Sequence, residues 1–140
     1  MPDEKLIGML VEHEGERLKM YQDSKGIWTV GVGHNIQERG ISKAVSQLML
    51  EEDIAEARRD AGTFSWFADL DEARQAVIID MIFNMGLPRF SGFKKTIAFI
   101  EGGMFQAASL EMLDSKWARE DVQRSRSELL SRMMSTGDWE

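Results

Sequence analysis

Apolar residues recur every three or four positions at the start of the chain and every second position soon afterwards. The first spacing is that of an amphipathic helix, and it predicts a helix over residues 3–13. The second spacing, over residues 18–32, is typical of strands with one buried face, and the Ser-Lys-Gly turn at residues 24–26 interrupts it. We therefore predict a small β-hairpin directly after the first helix.

The rest of the chain keeps the helical spacing. Ser42 is suited to cap a helix that runs to about residue 61, before Gly62. Asp71 is suited to cap a helix that is apolar over a wide arc, and we predict that this helix is buried on most sides until residues 86–88 (Gly-Leu-Pro) end it. Shorter helices are predicted over residues 92–101, 104–114 and 121–135. A small β-element followed by helices predicts an α+β fold that is mainly helical.

With 140 residues, the chain has the length of one domain. We expect a single domain with two lobes. The N-terminal lobe is predicted over about residues 12–45 and a linking helix over about residues 43–61. The C-terminal helical lobe is predicted over about residues 62–140, together with the helix at 3–13.

The composition excludes several classes of function. The chain has no cysteine and two histidines, so disulfide and thiolate chemistry are absent and ligands for a zinc site are too few. A net charge of −7 argues against nucleic acid as a partner, because phosphate binding needs a basic face. The ten methionines recur with other apolar residues at helical spacing, including Met104 and Leu110, and we expect them to fill the core.

The sequence patterns typical of export or membrane insertion and of dinucleotide binding are both lacking. The charged first residues and the interrupted apolar run behind them encode neither a signal peptide nor a membrane-spanning helix, so we expect the protein to fold in the cytoplasm. Gly31-Val32-Gly33 resembles the start of a dinucleotide-binding motif, but Ile36 stands in the place of the third glycine.

Three polar residues near the N-terminus form a candidate catalytic set. Glu14 follows the first helix, Asp23 lies in the hairpin turn, and Thr29 lies in the second strand. Glycosidic-bond cleavage needs one carboxyl group to protonate the departing oxygen and a second group to handle the water or the charge on the sugar ring. Taken singly, these residues also fit a solvated helix end, an ordinary turn and an ordinary strand, so only their combination favours catalysis.

Residues 14–34, with the sequence EGERLKMYQDSKGIWTVGVGH, closely resemble the active-site segment of the phage-type lysozymes, the group that includes the lysozymes of the T-even phages. The similarity returns at residues 70–71, 82–86, 92–93, 115–117 and 136–139. The resemblance implies a lysozyme-like fold and a muramidase that cuts the β-1,4 bond between N-acetylmuramic acid and N-acetylglucosamine in bacterial peptidoglycan. It implies inversion of configuration, with no metal and no cofactor.

The resemblance also assigns roles to the three residues. Glu14 matches the general acid of the family, Asp23 the carboxylate that assists the water or the oxocarbenium-like state, and Thr29 the hydroxyl that holds the water. Asn84 matches a residue that lines the cleft, where its amide would recognise an acetamido group, although an amide satisfied by backbone is an equally good interpretation.

Further residues match on the same basis. Phe83 matches a second residue that lines the cleft, and Arg124 matches an arginine that pairs with the catalytic glutamate. His34 and Asp53 match a structural pair that ties the hairpin to the linking helix. We expect the large aromatic residues at the helix junctions to lie in the core, namely Phe93, Trp117 and Trp139.

The chain departs from the resemblance in two respects. It is shorter between His34 and Asp53, so the lip of the N-terminal lobe is expected to be trimmed, and it is acidic although peptidoglycan is anionic. Two alternatives stay open, namely a catalytically idle module that binds glycan or protein, and a lytic transglycosylase. The expected setting is a monomer, without stable membrane insertion, that leaves the host cytoplasm through a holin-type membrane lesion and attacks the periplasmic cell wall.

Overall fold

The computed structural model describes residues 3–140, which form two compact units. The first unit takes in the described residues up to Met49, and the second is Leu50–Glu140. The boundary falls inside one helix, and residues 3–14 belong to the first unit. That opening helix was assigned to the C-terminal lobe from the sequence. This division into lobes stays a prediction.

The first unit contains the predicted helix and hairpin. Its elements are α1 (Glu4–Glu14), β1 (Arg17–Gln22), β2 (Trp28–Gly31) and the short α2 (Ile36–Arg39). The two strands are antiparallel, with Tyr21 opposite Thr29, and the register slips between Arg17 and Tyr21. The helix α2 was not predicted from the sequence. It begins at Asn35, whose side chain accepts a hydrogen bond of 3.0 Å from the backbone N–H of Glu38.

The apolar face of the hairpin is open, contrary to the alternation pattern. Leu18 is 84% exposed, and Met20 is also exposed. Within the first unit these side chains line a pocket of about 820 Å³ together with Val45 and Met49. Residues of α2 and of the first turns of the next helix line the other side of this pocket and leave it open.

The helix predicted over residues 43–61 is confirmed as α3 (Lys43–Ala61). The Ser42 hydroxyl accepts a hydrogen bond of 3.2 Å from the backbone N–H of Val45, so the predicted N-cap is also present.

The second unit is helical throughout. A 3₁₀ turn (Phe67–Asp69) precedes α4, and a π-helical turn (Trp117–Asp121) precedes α8. The helices are α4 (Glu72–Met85), α5 (Leu87–Ser91), α6 (Lys94–Glu101), α7 (Phe105–Leu113) and α8 (Arg124–Thr136). The Asp71 carboxylate accepts from the backbone N–H of Arg74, as predicted for the N-cap of α4. The predicted α+β class with a mainly helical chain is therefore confirmed.

The core of the second unit is centred on α4. This helix packs against α5 and α8, and α8 packs against α7. The buried residues of α4 are Ala73, Val77, Ile78, Met81 and Ile82. Phe90 and Trp117 are fully buried beside them, and Phe93 contacts both rings. The predicted burial of α4 and Trp117 is confirmed, whereas Phe93 is half-buried and packs against this core.

Several predictions about the core were wrong, and among the methionines expected there Met9, Met20 and Met49 are exposed. Trp139 is 60% exposed, because Gly137 ends α8 in the left-handed conformation and no helix face carries the following residues inward. Leu110 is exposed because it lies two positions from the buried residues Ala108 and Met112, which places it on the opposite face of α7. Met104 is exposed at the residue that precedes α7.

The segment of residues 86–88 ends α4 as predicted but also starts a new helix. Gly86 has φ of 86°, and Pro88 occupies the first turn of α5, where its missing N–H costs no hydrogen bond.

Candidate active site

Glu14 is the last residue of α1 and is exposed. Gly15 ends the helix with φ of 73°, and its N–H donates to the carbonyl oxygen of Val11 at 2.8 Å. The side chain of Glu14 lies against Gly33. A Cβ atom placed on Gly33 would be 2.7 Å from Oε2 of Glu14. The carboxyl group of Glu14 therefore contacts the backbone of the turn that follows β2.

That turn is held by two backbone hydrogen bonds. The N–H of Val30 donates to the carbonyl of His34 at 2.9 Å, and the N–H of His34 donates back to Val30 at 3.0 Å. Gly31 and Gly33 have φ of 69° and 61°, in the left-handed region that favours glycine. The two glycines flanking Val32 therefore form a tight turn beneath the Glu14 carboxyl, which agrees with the rejection of a dinucleotide motif.

Asp23 organises the loop between β1 and β2. Its Oδ1 accepts hydrogen bonds from the N–H groups of Lys25 and Ile27, at 2.8 and 3.0 Å. Its own N–H donates to the carbonyl of Ile27 at 2.9 Å. Among residues 3–49, no hydrogen bond engages Oδ2 of Asp23. One carboxylate oxygen of Asp23 therefore fixes the loop, and the other can accept hydrogen bonds from other groups.

Thr29 is 4% exposed, and its hydroxyl donates to the carbonyl of Ile27 at 2.9 Å. Because this bond uses the hydroxyl proton, Oγ1 can only accept from another group. Ile27 therefore connects the two residues, since its N–H binds the Asp23 carboxylate and its carbonyl binds Thr29. The structure brings Asp23 and Thr29 together at one end of β2 and places Glu14 at the turn beyond the other end.

The predicted pair of His34 and Asp53 is divided between the two units, so it stays a prediction. Within the first unit, Nε2 of His34 donates to the carbonyl of Gly40 at 2.7 Å, and this bond fixes the ring. In the second unit, Asp53 lines a pocket of about 270 Å³ with Asp60 and Phe83.

Phe83 and Asn84 lie near the end of α4, and both are exposed. The amide oxygen of Asn84 accepts a hydrogen bond of 2.8 Å from Nε1 of Trp117. The alternative of an amide satisfied by backbone was wrong, because the partner is a buried indole. This bond fixes the orientation of the amide, so its NH₂ group is left to donate elsewhere.

Arg124 is the first residue of α8 and donates to Oε1 of Glu128 at 2.8 Å, one helical turn later. Its pairing with Glu14 involves residues of different units and stays a prediction. Among residues 3–140, no group of three His, Asp or Glu side chains is arranged to hold a metal ion. No helix in that described range has both the length and the apolar character needed to cross a membrane.

The contact between Glu14 and Gly33 was not predicted from the sequence. The available signal was the pair of glycines at 31 and 33, which indicates a turn but does not reveal which distant side chain lies on it.

The chain is similar to known proteins over most of its length. The model of the family described as phage lysozyme matches residues 11–133. "Probable T4-type lysozyme 1" of Dictyostelium discoideum is 29% identical, over 84% of this chain and 86% of its own length. The "Endolysin" of Acyrthosiphon pisum secondary endosymbiont phage 1 is 30% identical, over 90% and 86% respectively. The "Endolysin" of Salmonella phage P22 is 34% identical, over 61% and 64%.

The family match includes Glu14, Asp23 and Thr29 and most of the helical second unit. The described helices and the small hairpin agree with the fold that the resemblance implied. The chain therefore belongs to the phage lysozyme family, and its function is of the lysozyme or endolysin type, that of a glycoside hydrolase.

Proposed function

We propose that the protein is a muramidase that hydrolyses the β-1,4 bond between N-acetylmuramic acid and N-acetylglucosamine in peptidoglycan, with inversion. The observation that carries the proposal is the arrangement around Ile27. Its N–H and its carbonyl hold the Asp23 carboxylate and the Thr29 hydroxyl together in the unit that also carries Glu14. A proton donor, a second carboxylate and an accepting hydroxyl are the groups that the reaction requires.

In the proposed reaction, Glu14 gives its proton to the glycosidic oxygen as the bond to the anomeric carbon breaks. Positive charge develops on the ring, and the negative charge of Asp23 stabilises it. Water adds to the opposite face of the anomeric carbon and loses its proton to Asp23. The products are a reducing sugar of inverted configuration and a free hydroxyl group on the leaving sugar.

The hydrogen bonds of Thr29 and Asp23 support one orientation of the water in the proposed reaction. A water that donates one hydrogen to Oγ1 of Thr29 and the other to Oδ2 of Asp23 keeps a lone pair for the anomeric carbon. Thr29 fits this role because its own proton is bound to the carbonyl of Ile27. Asp23 fits because its loop contacts use Oδ1.

Substrate binding in the proposal involves Phe83, Asn84 and Arg124. The amide oxygen of Asn84 is bound to Trp117, so its NH₂ group suits the carbonyl oxygen of an acetamido group. The exposed ring of Phe83 offers an apolar surface to a sugar. The pairing of Arg124 with Glu14, and that of His34 with Asp53, are supported by the family resemblance alone.

We propose host cell lysis as the biological role. The support is that two of the relatives carry the name endolysin. In this role the protein folds as a monomer in the cytoplasm of the host bacterium and reaches the periplasmic cell wall through a membrane lesion made by another protein.

The test is mass analysis of purified peptidoglycan after digestion. A muramidase releases fragments with reducing N-acetylmuramic acid ends, and proton NMR in the first minutes should show the α-anomer for an inverting enzyme. Anhydro ends would instead indicate a transglycosylase, and intact glycan would indicate an idle module. Either of these two results would reject the proposed function.

A further inference from the structure

We propose that Gly33 is a positioning residue for the reaction, because the space left by its missing side chain is occupied by the carboxyl group of Glu14. The inference rests on the proposed function for the role of Glu14 as the acid. The contact itself is a property of the structure of the first unit.

The geometry shows a close fit at this point. A Cβ atom on Gly33 would lie 2.7 Å from Oε2 of Glu14, 3.0 Å from its Cδ and 3.2 Å from its Cγ. The first distance is shorter than nonbonded carbon and oxygen atoms tolerate, so any side chain at position 33 would force the carboxyl group to move. The carboxyl therefore lies where only glycine permits it to lie.

The described contacts of the first unit provide no other restraint on this carboxyl. Within residues 3–49, Glu14 has no hydrogen bond and no ion pair. A long, exposed carboxylate side chain samples several rotamers unless its surroundings exclude some of them. The backbone of the turn at Gly33 restricts the Glu14 side chain by shape alone.

The chain contains its own control for this inference. Gly31, two residues earlier in the same turn, has φ of 69°, and a Cβ there would meet nothing within 4 Å. Gly33 has φ of 61°. Alanine therefore introduces the same kind of backbone strain at either position, but only at position 33 does it displace the carboxyl of Glu14.

The two substitutions should affect stability and activity differently. The end of the Glu14 side chain is flexible and exposed, so its displacement adds little to the loss of stability in Gly33→Ala. A catalytic group moved by about 1 Å can lower the rate about 100-fold. We therefore expect equal denaturant midpoints for Gly31→Ala and Gly33→Ala and unequal rates.

The experiment measures kcat, KM and the pH profile of muropeptide release for the parent, Gly31→Ala and Gly33→Ala. We expect Gly33→Ala to lose about 100-fold in kcat, with KM within about threefold of the parent and an altered pH profile. Gly31→Ala should stay within about threefold in both constants. Equal losses in the two variants, parental kcat in Gly33→Ala, or a Gly33→Ala protein that is unfolded while Gly31→Ala is folded would overturn the proposal.

A second variant and a second readout cover other outcomes. Glu14→Asp leaves the backbone unchanged and withdraws the carboxyl group by one methylene. This variant should lose about 100-fold in kcat. If its activity is within about threefold of the parent, the proposal is overturned even if neither glycine variant folds. The carboxyl carbon resonance of Glu14, assigned by its loss in Glu14→Gln, should change its chemical shift in Gly33→Ala but not in Gly31→Ala, because only Gly33 lies against this carboxyl. If the parent does not cleave glycan, the proposed function fails, while this chemical shift still decides whether Gly33 places the carboxyl.

Discussion

Arg74 joins three helices of the second unit, and its replacement by alanine should cost stability. Its Nε donates to the carbonyl of Met134 at 2.7 Å, and one NH₂ group donates to the carbonyl of Ser135 at 3.0 Å. These carbonyls belong to the last turn of α8, where helical partners are missing and a cation is favourable. The guanidinium also lies 3.7 Å from the ring centroid of Phe105.

These contacts give the magnitude of the stability loss expected for Arg74→Ala. A hydrogen bond to a charged group contributes about 1.5–3 kcal/mol, but water can reach helix-end carbonyls after the substitution, so the lower end applies to each bond. The ring contact adds about 0.5–1 kcal/mol. The ion pair with Asp71 adds little, because that carboxylate is 40% exposed. We expect Arg74→Ala to lower the free energy of unfolding by about 2–4 kcal/mol, since neighbouring contacts are not additive.

Denaturant unfolding followed by circular dichroism measures this loss. Arg132 is the matched control, because its Nε donates to Glu140 in a surface ion pair with the arginine 55% exposed. Arg132→Ala should cost no more than about 1 kcal/mol. If Arg74→Ala lowers stability no more than Arg132→Ala does, Arg74 does not stabilise the end of α8 in the way described.

Three further predictions concern the core, the water and the substrate charge. Phe90→Ala should lower the free energy of unfolding in urea by about 3–5 kcal/mol, because Phe90 is fully buried. Phe83→Ala, at a position 44% exposed, should raise KM with a much smaller loss of stability. Equal losses of stability in the two variants would contradict this prediction. Thr29→Val should lower kcat about 100-fold and Thr29→Ser should retain most activity, because only serine keeps the accepting hydroxyl; equal rates for both would refute the water-holding role. Hydrolysis should increase with added salt or divalent cations, which screen repulsion between a chain of charge −7 and an anionic glycan, and a flat ionic-strength profile would contradict this.

Local sequence signals predicted the elements well where a few neighbouring residues determine the structure. Ser42 and Asp71 cap α3 and α4 as predicted, because an N-cap contact spans only three residues. The hairpin followed from a turn composition between two alternating segments, and Asp23 stabilises that turn through its own loop.

Local sequence signals could not predict contacts between residues that are far apart in the chain. Arg74 binds carbonyls 60 and 61 residues later, and nothing near Arg74 in the sequence indicates those partners. The contact of Glu14 with Gly33 likewise depends on how α1 meets the turn after β2. Trp139 was placed in the core by its residue type, whereas the left-handed end of α8 at Gly137 decides its exposure.

The roles of the site residues came from the resemblance rather than from periodicity. Spacing alone left Glu14, Asp23 and Thr29 compatible with a helix end, a turn and a strand. The structure adds the physical link, since Ile27 holds Asp23 and Thr29 with its two backbone groups. A site assembled through the backbone of one residue in this way leaves no periodic signal in the sequence.

Glu14 is proposed to supply the proton to the departing sugar, and the rate at which Glu14→Gln releases reducing ends from peptidoglycan tests this role. Glutamine keeps the shape of the side chain but cannot donate this proton, so we predict a loss of about 10³-fold with an unchanged denaturant midpoint. Glu12→Gln, at an exposed position of the same helix, is the matched control and should cleave at the parental rate. If Glu14→Gln releases reducing ends within tenfold of the parent, Glu14 is not the acid.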